Sequence, residues 1–300
     1  MELVESAIRL STPLLLAALG GVLSERVGVV NIALESMLLA GAFAAMAAAG
    51  ATGNPWIGVA AAALAGLLIG LLHTFLVLQL RVDAIISGVG LNLLAVSATT
   101  FLLRSFFMKG GVGVQVHGPT AWAPALKSIP ILGSLLGGGT PFVPMAILAV
   151  FWGWLVMYRT RWGLQLRAVG ESPHAARAAG IRVERLRYLW VGLGGAFAGV
   201  GGAYLSLEAA GRFTENLSAG KGYLALAAVI LGRWSPLGAS VAVVGFGFAE
   251  ALQIWLQGHP IGGVSVPSEL LSAFPYLLGL LAVGGLLGRS TPPAALGKVD

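Results

Sequence analysis

Eight stretches of this chain are long, apolar and nearly uncharged, and none carries more than one Asp, Glu, Lys or Arg. They are Ala7 to Leu23, Ile32 to Ala49, Trp56 to Leu80, Ile85 to Phe107, Phe142 to Met157, Tyr188 to Leu207, Leu237 to Leu256 and Leu270 to Leu287. A bilayer core about 30 Å thick takes roughly 20 apolar residues of helix, because every backbone N–H and C=O must be paired where water is absent. Hydrophobic residues make up 57% of the chain and charged residues 10%, against about a quarter charged in soluble domains. Water could not keep such a surface dissolved. The expected fold is therefore an all-α integral membrane protein, a polytopic bundle of about 8 to 9 transmembrane helices. Residues 1–300 are expected to form a single transmembrane domain, with a cytoplasmic loop at 159–187 and an external loop at 108–141.

A ninth apolar stretch, Gly222 to Leu231, is too short to cross. Ten residues of helix rise about 15 Å, half the hydrocarbon thickness. It ends at Gly232-Arg233-Trp234-Ser235-Pro236, where Ser235 can cap the next helix and Pro236 suits its first turn. This predicts a broken or re-entrant helix, which survives only where protein or a water-filled cavity surrounds it. A tilted ordinary span with a ragged start is the plainer alternative.

Lys and Arg are enriched in cytoplasmic loops. Arg159, Arg161, Arg167, Arg177, Arg182, Arg185 and Arg187 all fall between the fifth and sixth spans, offset only by Glu171 and Glu184, so this loop is expected in the cytoplasm. Alternation from there puts the N-terminus outside and Arg26, Arg81, Arg233, Arg289 and Lys298 inside. The 108–141 connection, with only Lys109 and Lys127, falls outside. If the ninth segment crosses, the C-terminus is inside; if it only dips in, the last two spans invert. Met1-Glu2-Leu3-Val4-Glu5 lacks the basic start of a signal peptide, so the first apolar run is expected as a retained span in a multi-pass protein of the cell (inner) membrane.

Small residues recur at four-residue spacing in Gly66 and Gly70, Gly195 and Gly199, and Gly284 and Gly288, a spacing that lets helix backbones approach closely in lipid. There is no cysteine, which excludes disulfides, thiolate nucleophiles and zinc-thiolate sites. His73, His117, His174 and His259 are scattered, a pattern of structural histidines rather than metal ligands, and no metal site is expected. The net charge of +6 follows membrane topology rather than a basic, aromatic-interleaved nucleic-acid face.

Within the basic loop, Gly170 to Gly180 reads as a small helix specified at both ends. Ser172 is a good N-cap, Pro173 fits the first position, Ala175, Ala176 and Ala179 favour helix, and Gly180 can take the left-handed conformation that stops it. So short a helix is marginal alone in water and needs a surface to dock on. The bland alternative is a solvated loop whose arginines only set topology.

Three segments carry a resemblance. Val27 to Glu35, Gly170 to Gly180, and Ala227 to Ala239 resemble the permease subunits of ABC importers, in the group carrying ribose and other simple sugars, nucleosides and branched-chain amino acids. The likeness runs from about Pro13 to Leu286. The Gly-Arg-Trp form of the turn, Gly247 to Gln253, and Ile129 to Gly133 are most similar to the nucleoside branch, fed by an external basic-membrane-protein-type lipoprotein. Ser36 stands where that family carries Gly. The resemblance implies that Gly170, Glu171, Ser172, Pro173, Ala175, Ala176, Ala179 and Gly180 form the coupling helix, seated in a separate ABC ATPase subunit. It also implies a second permease subunit, a homologous chain or a copy of this one, and ATP and Mg bound by the partner, with no cofactor here. The chain lacks a Gly-x4-Gly-Lys-Ser/Thr phosphate loop, and Gly220-Lys221-Gly222 has the wrong neighbours.

A charge at mid-bilayer costs roughly 2.5 to 3.5 kcal/mol on insertion scales and rarely faces lipid, so polar residues within spans mark a candidate path. Glu250, Gln253 and Gln257 share a helical face; Asn31 and Glu35 do likewise. Asn92, followed by Ser97, Thr99 and Thr100, adds hydrogen-bonding capacity, and Glu208 lies near an outer helix end. The substrate path is expected at Asn31, Glu35, Asn92, Glu250 and Gln253. Interhelical hydrogen bonding is the competing explanation for each. The expected function is a permease subunit moving nucleosides or simple sugars inward, with no enzymatic activity of its own. A stand-alone ion-coupled carrier is the alternative, since broken helices and membrane carboxylates suit one. A membrane-embedded enzyme would need a convergent nucleophile and base, and the sequence offers neither.

Overall fold

A computed structural model of the chain describes residues 2–107, 114–119, 140–258, the single positions 273, 277, 279 and 280, and 291–298. Apart from those single positions, the expected span Leu270 to Leu287 lies outside the described residues. So do His259, Arg289, Lys109, Lys127, the Ile129 to Gly133 run, Gly284 with Gly288, and most of the 108–141 connection.

The described residues hold ten helices: α1 (Glu2–Arg26), α2 (Leu34–Thr52), α3 (Pro55–Leu78), α4 (Ala84–Leu102), α5 (Phe142–Arg159), α6 (Arg161–Glu171), α7 (Pro173–Ala178), α8 (Val183–Ala203), α9 (Lys221–Leu231) and α10 (Pro236–Gly258). Wider π turns extend α4 to Phe107 and α8 to Ala209. Seven are long and apolar enough to cross a membrane, and α9 is not. Their ends follow local chemistry. Asn54 caps Trp56 with Pro55 in the first turn of α3, and Asp83 accepts from the amides of Ile85 and Ile86 to start α4. The basic 159–187 segment is mostly helical, and α8 begins at Val183 rather than near Tyr188. Arg182 and Arg185 point their charges outward while their helix continues, as long flexible stems allow.

α1, α2 and α8 form the buried centre, and α3, α4, α5 and α10 surround them. The outer helices present faces such as Leu64 and Leu68 on α3, Leu93 on α4, Leu148 on α5 and Val241 on α10, the last 75% exposed. Apolar faces of this extent suit lipid, not water. Since lipid supplies no hydrophobic drive between helices, close packing must hold them. The two glycine pairs turn out to be each other's partners. Gly66 lies against the backbones of Gly195 and Gly199, and Gly70 against Val191 and Gly192, so a Cβ on either side would strike a facing carbonyl. Elsewhere on α8, Gly194 lies against Gly20 of α1, and Gly202 against Leu38 of α2.

α8 and its extension carry the chain from the basic end of the bundle to the far end, where Gln115 bridges Arg212. Residues 213–220 then turn back among the helices without regular structure, α9 follows, and Trp234 emerges beside Arg26 at the basic end. The segment thus combines an irregular stretch, 213–220, with the short helix α9. The 291–298 tail docks at the same basic end. Ala295 N–H donates to Gly170 O at 2.9 Å, and Gly297 N–H to Gly28 O at 3.1 Å.

Candidate functional site

The helical half of the returning segment starts inside the protein, so its first amides need acceptors there. Glu35, in the first turn of α2, supplies them. Its carboxylate accepts from Ser218 Oγ at 2.6 Å, Gly220 N–H at 2.8 Å and Gly222 N–H at 2.6 Å. Gly222 has no Cβ because Glu35 occupies that space. A carboxylate at a helix N-terminus also meets the positive end of its dipole. Asn92 closes the same region from α4: its Oδ1 accepts from Ser36 N–H at 2.9 Å, and its Nδ2 donates to Ile32 O at 3.0 Å and Tyr223 Oη at 2.9 Å. The Ser36 that departs from the family pattern is thus held by its backbone, and its hydroxyl bonds Ala33 O. Nearby, His73 bridges Ser87 Oγ and Val30 O, both at 2.9 Å, a buried structural role.

On the other side of the α9 start, Lys221 forms an ion pair with Glu250 of α10; their side chains are 15% and 21% exposed. Both line a cavity of ≈ 290 Å³ with Arg9, Tyr204, Leu205 and Ile254. The second oxygen of Glu250 is buried and makes no hydrogen bond. Gln253 follows one turn along α10 and has a partner of its own. The structure therefore brings Glu35, Asn92 and Glu250 around one helix start. Lys221, Tyr223 and Ser218, which complete that arrangement, were not legible as site residues. The one available signal was a Lys and a Tyr heading an otherwise apolar ten-residue run.

Asn31 goes elsewhere. Its Nδ2 donates to Ser24 Oγ at 2.9 Å and its N–H to Glu25 Oε1 at 3.3 Å, in the turn between α1 and α2. Glu25 also accepts from the indole N–H of Trp234, and Arg26 Nε donates to Trp234 O at 2.7 Å. These bonds pin the Gly-Arg-Trp turn, in which Arg233 and Trp234 hold positive φ of 52° and 51°. Such backbone costs about 1 to 2 kcal/mol per residue for side-chain-bearing positions, and the buried Glu25 contacts offset it. Thr99 spends its hydroxyl on Ala95 O of its own helix.

At the basic end, α7 has the predicted caps: Ser172 Oγ accepts from Ala175 N–H at 3.3 Å, Pro173 opens the helix, and Gly180 takes φ +79°. Its alanines divide between two faces. Pro173 and Ala176 turn into the chain's own body, Ala176 being 3% exposed, whereas Ala175 and Ala179 face outward. Gly170 lies against Arg26 O with no room for a side chain, and Glu171 pairs with Arg26 at 3.7 Å while accepting from Ala294 N–H at 3.3 Å. The junction of α6 and α7 is thus braced by α1 and by residues 291–298. At the far end, Arg104 grips Glu215 through two bonds of 2.6 and 2.9 Å. Among the described residues no group of acidic, His or Cys side chains could hold a metal.

The family model described as branched-chain amino acid transport system / permease component matches residues 3–283. The chain is 36% identical to the guanosine ABC transporter permease protein NupQ of Bacillus subtilis, over 98% of this chain and 95% of that protein. It is equally similar, at 36% and the same coverage, to the nucleoside ABC transporter permease protein NupC of Lactococcus lactis. Its fold resembles that of a solved metal-chelate-type ABC transporter in an inward-facing conformation, with a TM-score of 0.55 and 16% identity over 94% of this chain and 85% of that one.

Proposed function

The chain belongs to the family of branched-chain amino acid transport system permease components, and on that premise we propose that it is the membrane-spanning permease subunit of an ATP-driven ABC importer carrying nucleosides into the cell. The observation that carries the substrate class is the end-to-end likeness to two permeases named for guanosine and nucleosides. What supports a driven permease is α7, a doubly capped helix that presents Ala175 and Ala179 outward at the basic end. A separate ABC ATPase subunit takes that surface, an external lipoprotein delivers solute, and a second permease subunit, homologous or identical, completes the passage.

In this reading the basic end faces the cytoplasm, the N-terminus lies outside, and residues 210–235 cross the membrane as a broken helix. Asn92, with the half-exposed ring of Tyr223 that it holds, and Glu250 with Gln253 are the path-lining groups. Amide, hydroxyl and carboxylate groups set in an otherwise apolar passage would give a hydroxyl-rich solute transient hydrogen bonds without trapping it. Glu35 and Asn31 serve the passage indirectly, since their hydrogen bonds are committed to the broken helix and the α1–α2 turn.

The test is reconstitution of the chain with its ATPase, second permease subunit and binding protein in vesicles, followed by uptake of labelled guanosine, ribose and leucine. ATP-dependent guanosine uptake is expected. ATP-dependent uptake of only leucine or ribose would refute the substrate class, and uptake driven by an ion gradient without the ATPase would refute the importer reading.

A further inference from the structure

Between α6 and the start of α8 lies a groove of ≈ 420 Å³, lined by Trp162, Gln165, Arg182, Arg185 and Leu189 and, where it borders the α7 surface, by Ala179 and Gly180. Helical register sets its chemistry. At about 100° per residue, Arg182, Arg185 and Leu189 form one stripe of α8, while Glu184 falls roughly opposite and leaves the stripe purely cationic. Among the described residues neither the Arg182 nor the Arg185 guanidinium has a hydrogen-bond or ion-pair partner. Trp162 and Leu189 are 56% and 48% exposed.

The residues beside the groove match the make-up of a bilayer–water boundary. Arg159 lies over the Trp154 ring at 5.7 Å and Arg167 over Tyr158 at 5.3 Å, an aromatic and basic belt of the kind found at that boundary. Going deeper along α8, the stripe becomes apolar. Leu189, about 9 Å into the helix, leads to the half-buried Leu193 and to Phe197, whose ring meets Trp152 of α5 at 5.6 Å. Free cationic groups at the headgroup level and a greasy wall running toward the bilayer centre complement a molecule that is anionic at one end and apolar along the rest.

We propose that this groove binds an anionic phospholipid, with Arg182 and Arg185 on its phosphate and Trp162 and Leu189 against the glycerol and first methylenes. Free inorganic phosphate would leave the apolar wall of Trp162 and Leu189 uncovered. The proposal needs the helices to lie in a bilayer but does not depend on which solute is carried.

The test uses the full chain, extracted from vesicles of equal phosphatidylglycerol and phosphatidylcholine and examined by native mass spectrometry for retained lipid. The wild type is expected to enrich phosphatidylglycerol, and R182Q/R185Q to lose about 25-fold of that preference, on the order of fivefold per Arg. R182K/R185K, which keeps the charge, is expected to recover much of it. R161Q/R177Q removes as much charge outside the groove and is expected to leave the preference nearly intact. Equal loss in both double Gln variants would mean a diffuse charge effect and overturn the site. The proposal also fails if the wild type shows no preference, if R182Q/R185Q keeps it, or if the preference disappears on co-purification with the ATPase, which would assign the groove to that protein.

Discussion

Replacing Glu35 by Ala tests whether this carboxylate belongs to the scaffold or to the solute path. In the structure it accepts three hydrogen bonds, from Ser218 Oγ, Gly220 N–H and Gly222 N–H, and is 4% exposed. Bonds to a charged group contribute about 1.5 to 3 kcal/mol each, and their loss leaves buried amides without acceptors. Removing the carboxylate also removes its own desolvation cost, so the net destabilisation expected is about 3 to 5 kcal/mol. At about 2 °C per kcal/mol for a chain of this size, the melting temperature of the purified protein should fall by about 6 to 10 °C. E35Q retains one acceptor oxygen and puts an amide donor against the other backbone N–H, so about half that loss is expected. Thermal unfolding in detergent followed by circular dichroism, with guanosine uptake measured in parallel, reads both effects. An E35A protein that melts with the wild type and shows only a raised KM for solute would refute the capping argument and return Glu35 to the path.

Removing one partner of the Lys221–Glu250 pair leaves a mostly buried charge uncompensated, so K221M and E250Q should each lower uptake and melting temperature more than the K221M/E250Q double variant; additive losses in a double-mutant cycle would show that the two do not act as a pair. A179W and A175W enlarge the outward face of α7 and should uncouple ATP hydrolysis from uptake at normal membrane abundance, whereas A176W, whose Cβ is buried against the chain's own body, should lower abundance instead; the reverse ranking on immunoblots and ATPase assays would refute the orientation of the helix. G195L places a side chain on the backbone of α3 at Gly66 and should force the central helices apart, read as loss of folded protein in detergent; a stable G195L protein would show that the seam tolerates separation.

Local chemistry made much of this protein legible from residue order alone. Hydropathy marks the spans because a helix in lipid must be apolar over its length wherever it sits in the bundle. The caps at Ser172 and Gly180 act on amides and carbonyls only a few residues away. The glycine spacing likewise announced close packing on α3 and α8, though not that the two helices choose each other.

Partners distant in the chain were decided by tertiary structure. Asn31 and Glu35 are one helical turn apart in sequence, yet one closes the α1–α2 turn and the other caps a helix start some 185 residues away. The inward turn of Ala176, the docking of 291–298 on Gly170 and Gly28, and the cationic groove at Arg182 and Arg185 arise the same way. Whether a segment prefers lipid is a sum over its own side chains, so it can be read along the chain. Which polar atom a buried carboxylate meets depends on how separate helices cross, and small residues permit many crossings until the whole bundle selects one.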